Sequence, residues 1–240
     1  MDAQMVALAQ ACENRLALDR AVLSPEYFYA SLPLALLDAV FSIGVRYAST
    51  RNVVIRYCSH YELLRIRPHA EFLPPDAQHT VSDMISKIEA VEVEAFADRI
   101  LFNRQRTSAK NGILKADAVL QCARILQSYG IETMQNFHAC GKEELKMDFC
   151  AVPGQQSGKS FVYLEMLCGN DNYCKPDRHI VRFVSDALER PVSAEQAAFY
   201  LKQACALLQR QHPNLTMRTL DHTIWNAMAA PLKNKAALRR

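Results

Sequence analysis

Glycine is scarce, seven in 240 residues, and no apolar run reaches the roughly 20 residues that a membrane helix needs. The most apolar stretch, residues 31–45, is interrupted by Asp38 and closed by Arg46. Half of the chain is apolar, enough to bury a core in one or two compact lobes and to argue against disorder. CxxC pairs are missing too. The eight cysteines (Cys12, Cys58, Cys122, Cys140, Cys150, Cys168, Cys174 and Cys205) sit inside apolar helical patterns and read as free, buried thiols. His60, His69 and His79 lack ligand spacing, so no metal is expected to serve the chemistry. With no cationic-then-apolar leader in the sequence, a cytoplasmic setting is expected. Neither sign of charge dominates at a formal +3, so the distribution matters more than the total. Residues 103–116 carry Arg104, Arg106, Lys110 and Lys115 and no acid, whereas residues 76–98 are rich in carboxylates.

Strand-like alternation is rare, and apolar residues recur at helical spacing almost throughout, which predicts an all-α, multi-helix chain. Helices are expected over residues 1–18, 34–47, 51–64, 82–102 with an interruption, 115–129, 142–149, 158–167, 177–188, 194–210 and 217–228. Pro68, Pro74 and Pro75 make the segment between 64 and 82 a loop, because each removes a donor and restricts its predecessor. The basic tail 233–240 is expected to fray.

The segment from Cys150 to Val184 carries the most chemistry. It reads as helix, tight turn at Val152-Pro153-Gly154, and a second helix from Gly158. Glycines allow close backbone approach, and the second helix opens with unpaired amides and the positive end of its dipole, a ready seat for a phosphate. Asp177, preceded by Pro176 and followed by an apolar-periodic helix, is placed at a helix start, where amides favour negative charge. Most aspartates so placed are simple caps.

The runs VPGQQSGKS and PDRHIVRFV, at this separation, resemble the paired hairpin and aspartate motifs of the helix-hairpin-helix DNA glycosylase superfamily. LLDAVFSIGVRY and ILKADAVLQCARIL resemble two further helices of that family, so the likeness spans about residues 32–188. It implies a two-lobed, glycosylase-like helical fold. Lobe A covers 32–150, lobe B covers 1–31 with 170–232, and the hairpin covers 142–169. It also implies an enzyme acting as a monomer on double-stranded DNA, nucleoid-associated in a bacterium: a base is flipped, its N-glycosidic bond is hydrolysed and an abasic site remains. Asp177 then stabilises the developing oxocarbenium charge and activates water. Val152, Gly154, Gln155, Gln156, Ser157, Gly158 and Lys159 form the backbone clasp, with Lys115, Arg178 and His179 on the strand.

Wedge or base-pocket roles fall to Val40, Phe41, Ser42 and Arg46, to Asn111, Gly112 and Ile113, and to Tyr27 and Tyr29. Bifunctional members of the family use a hairpin lysine as a sugar nucleophile. A one-residue slip, about 100° of helix rotation, decides whether Lys159 occupies that place, so hydrolysis is the expectation and lyase chemistry the alternative. The likeness also implies a structural monovalent cation at the hairpin and no other cofactor. Two departures stand out. Gln156 replaces the second hairpin glycine, and the family's iron-sulfur cysteines are missing, with only Cys205 beyond Asp177. Divergence from the repair branches points to an unusual substrate such as the modified cytosine of phage DNA, and so to defence. In the C-terminal stretch, Thr216 or Thr219 is read as a cap, Trp225 as core and Asp221 as satisfying a local donor; a catalytic pair of Asp221 and His222 is the sharper alternative, disfavoured because sequence neighbours on a helix do not face each other. Two rival readings stand beside the enzyme: a non-catalytic module that binds DNA or a repair partner, and a helical scaffold without DNA affinity.

Overall fold

The computed structural model of the protein describes residues 3–237, with side chains through residue 229. In chain order the helices are α1 (Ala3–Arg15), α2 (Leu32–Phe41), α3 (Tyr47–Tyr61), α4 (Val81–Glu89), α5 (Val93–Ala95), α6 (Lys115–Ser128), α7 (Met134–Ala139), α8 (Glu143–Ala151), α9 (Lys159–Leu167), α10 (Arg178–Ala187), α11 (Ala194–Leu208) and α12 (Met217–Ala237). A π-helical turn, Phe96–Ile100, continues α5. Among the described residues there is no strand, only isolated bridges between Tyr29 and Ile66 and between Arg106 and Leu114. No helix among them is long and apolar enough to cross a membrane.

Two compact units result: one formed by residues up to Ser24 together with those from Asn170 onward, the other by Pro25–Gly169. The central helix of the second unit is α2. All ten of its residues are buried, and it packs on α3, α6 and α9. A helix apolar on every side can be stable only when surrounded in this way. Around it, α6 contributes Ala118, Val119, Cys122, Ala123 and Leu126 at three- and four-residue spacing. From α8 come Leu145 and Phe149, and Phe149 meets Phe161 of α9 edge-on with ring centroids 5.3 Å apart. In the other unit α1 packs on α11, and α10 packs on α11 and α12. Its separate core gathers Leu8, Cys12, Ile180, Phe183, Val184, Leu201, Cys205 and Leu220.

Three expectations about the elements need correction. The helix expected over 34–47 stops at Phe41. Ser42 turns its hydroxyl back to the Asp38 carboxylate at 2.6 Å, Gly44 takes a φ of 71°, and a new helix starts at Tyr47. Residues 133–139, left unassigned by periodicity, form α7, a helix too short to show a repeat but opened by a reciprocal cap between Thr133 and Asn136. The last helix runs through Pro231 to Ala237, so 233–237 are helical; the rest of the expected frayed tail, 238–240, lies outside the described residues.

Candidate functional site

Asp177 is the N-cap of α10. Its Oδ1 accepts from the amides of His179 (2.8 Å) and Ile180 (3.2 Å), two of the donors a helix start leaves unpaired, and its side chain is partly exposed. The loop ahead of it is pinned from α12: the amide of Lys175 donates to Asp221 Oδ1 at 2.9 Å. Asp221 therefore does satisfy a backbone donor, but one 46 residues away in sequence. Burial, then the nearby negative charge of Asp177, pushes the Asp221 carboxyl up to about 8, against the opposing pull of the Lys175 amide and ammonium. Two half-buried carboxyl groups thus lie near enough for the charge of Asp177 to act on Asp221, one at a helix start and one on the helix that pins the loop ahead of it. His179 is buried, with its ring edge-on to Trp225 at 6.1 Å, while Arg178 is exposed. Trp225 is half-buried rather than in the core, and the cap of α12 is Thr216, in a reciprocal bond pair with Thr219.

In the other unit, α8 and α9 form a helix, tight turn, helix. Gly154 takes a φ of 89°, and a Cβ built there would lie 2.3 Å from Thr107 Cβ, so only glycine fits. Gly158, at φ 68°, opens α9 without a capping side chain, and the Lys159 amide meets only the Ser157 hydroxyl, at 3.5 Å. The Lys159 side chain is exposed. Gln156 turns its Oε1 onto the Gly154 amide at 2.9 Å and so occupies that donor. The carbonyls of Val152 and Gln155 each accept one amide, from Gln155 and Gly158. Buried Gln155 Oε1 has no hydrogen-bond partner among the described residues.

Against Gly154 packs a small loop closed by two backbone bonds, Thr107 to Ile113 (2.9 Å) and Lys115 to Gln105 (2.8 Å). Arg106 braces it on the Gly112 carbonyl at 2.7 Å, which leaves residues 108–111, with Asn111 at φ 55°, as its exposed tip. The hairpin and the Asn111-Gly112-Ile113 loop, far apart in sequence, are neighbours. Gly112 is buried and Ile113 partly so, which makes Asn111 the outward member of the three.

Several anticipated contact residues are not where contact requires them. Lys115 is buried: its Nζ donates to the carbonyls of Phe41 (2.9 Å) and Ile43 (2.7 Å), closing the end of α2 instead of meeting a phosphate. Val40 and Phe41 are fully in the core and cannot serve as wedges from there; the exposed residues of that turn are Gly44 and Arg46. Tyr29 is also buried, and its hydroxyl donates to Asp38 at 2.8 Å, so its ring has no face for a base. Val152, Gln155 and His179 are buried residues, so their side chains do not reach a bound strand. Ser42 is bound to Asp38, and Tyr27 lies 5.8 Å from the ring of Tyr47.

Asp38 is the buried polar centre that sequence reading passed over. Besides Tyr29 and Ser42 it accepts from Tyr163 at 3.5 Å, and burial, then the charge of Asp38, raises the hydroxyl pKa values of Tyr29, Tyr47 and Tyr163. The signal was a lone carboxylate inside an apolar helix.

The chain is therefore an all-helical protein of two units, one carrying a capping aspartate over a second carboxyl and the other a glycine-dependent hairpin. It belongs to a family described as a domain of unknown function, DUF8548, whose model matches residues 6–229. No curated protein and no solved structure matches it.

Proposed function

We propose that the protein is a DNA glycosylase that hydrolyses the N-glycosidic bond of a flipped, modified base, with Asp177 as its catalytic carboxylate. The observation that carries the reading is the state of Asp177: partly exposed, fixed by two amides through one oxygen, and backed by a carboxyl pushed up to about 8. Cleavage builds positive charge on the sugar. A carboxylate whose Oδ1 is tied to the helix leaves Oδ2 to face that charge or to take a proton from water. Asp221, its carboxyl pushed up by burial and by Asp177, favours the neutral form more than an ordinary aspartate and holds the loop through Lys175.

The hairpin supports the DNA part of the reading. At the start of α9 Lys159 is exposed while Ser160 and Phe161 are buried, so the Lys159 amide is the one the turn offers without sequence preference, and Arg46, Arg178 and Lys159 are exposed cations. Gln156 makes the clasp narrower than the glycine version by filling the Gly154 amide. A monovalent cation would be held by the oxygens of Val152 and Gln155 and would supply positive charge beneath a phosphate.

The substrate class follows from divergence alone: a modified cytosine of phage DNA. Incubation with DNAs bearing different cytosine modifications and common damaged bases, followed by alkaline cleavage, tests both levels. Strand breaks confined to modified cytosine support the full reading, and breaks only at damaged bases would move the protein to repair. No abasic sites on any DNA would leave the second reading, a binding module, which the cap bonds of Asp177 equally permit.

A further inference from the structure

Phe102 combines two unfavourable features. Its side chain is 67 % exposed, and its backbone, at φ 45°, adopts a left-handed conformation that bulky residues rarely take. Neither is slack. Arg56 of α3 donates to the carbonyls of both Leu101 and Phe102 at 3.0 Å, and its guanidinium lies over the ring, 5.4 Å from the centroid. On the chain's near side stands the π-helical turn Phe96–Ile100, a device that recurs at functional sites, and the Asn103 amide closes it onto the Ala97 carbonyl at 2.8 Å. On the far side Asn103 Oδ1 accepts from the Gln105 amide at 2.9 Å, and the loop beyond is braced on Gly154. The ring is thus presented by a rigid support.

Its setting is cationic. Between residues 98 and 110 the exposed charges are Arg99, Arg104, Arg106 and Lys110 against Asp98 alone, and Asp98 pairs with Arg104 at 2.6 Å. An exposed aromatic face beside cations is the chemistry by which proteins hold unstacked bases. We propose that Phe102 is a stacking platform for an unpaired nucleobase of bound DNA, with Arg106 and Lys110 on the flanking phosphates. The proposal rests on the DNA-binding part of the reading above and not on base release.

The test is equilibrium binding of the full-length protein, at fixed salt, to a duplex with one bulged nucleotide and to the matched duplex, beside a base-release assay. Stacking on an aromatic is worth about 1–3 kcal/mol per base, so Phe102→Ala should weaken binding to the bulged duplex about tenfold. The matched duplex should lose less, and the salt slope should stay unchanged because no phosphate contact is removed. Phe102→Trp should restore affinity and show indole fluorescence, above that of the native Trp225, quenched by the bulged DNA. Equal affinity of Phe102→Ala and the parent chain overturns the proposal and leaves the ring to a protein partner. Base release without a Phe102 effect sinks stacking alone. A Phe102 effect without base release sinks the glycosylase alone, and no DNA binding by the parent chain sinks both.

Discussion

A carboxyl pushed up to about 8 keeps its proton in the folded chain between about pH 4 and pH 8, where the unfolded chain has released it. The folded state of Asp221 then binds more protons than the unfolded one, so its contribution lowers stability as pH rises through that window. The slope is at most about 1.4 kcal/mol per pH unit. Asp221→Asn keeps an acceptor for the Lys175 amide and removes the titration. Urea midpoints at pH 5 and pH 7.5 should draw closer together in the variant, and an unchanged gap would show that Asp221 does not titrate there. Lys115 illustrates what sequence reading cannot see at this scale. In the sequence it ends a basic run beside Arg104, Arg106 and Lys110, and only the tertiary approach of α2 turns it inward onto two carbonyls. Asp38 hid for the matching reason, since hydroxyls that bond to it come from positions as far apart as 29, 42 and 163.

Elements were legible where one face repeats. The apolar spacing of α6, α10 and α11 is strong enough to set both existence and type, and the all-helical class follows from it. It failed where ends are decided by contacts, as at Phe41, or where a helix is too short to repeat, as in α7. The hairpin turn was readable from its proline and glycine, whereas its partner Thr107 was not. With a φ of 89° and Thr107 Cβ only 2.3 Å from where an added methyl would sit, Gly154→Ala combines strain with overlap and should cost about 2–4 kcal/mol. Thr107→Gly removes the overlap and should restore part of that loss when the two are combined. A double-mutant cycle with no coupling would show that hairpin and loop do not lean on each other.

For the whole molecule, the N-terminal helix belongs with the C-terminal third, so that core joins the two ends of the chain. Leu8 is fully buried there. Leu8→Ala should destabilise by about 2–5 kcal/mol and lower hydrogen-exchange protection in α11, on which α1 packs. Unchanged protection in α11 would contradict that packing. The central claim concerns Asp177, whose cap role and catalytic role can be separated because asparagine caps a helix about as well as aspartate. The measurement is single-turnover base release by Asp177→Asn on the DNA that the parent chain cuts, with melting temperature and DNA affinity followed in parallel. The account predicts a fall of about a hundredfold or more in release with fold and binding kept; release at the parental rate would reduce Asp177 to a cap.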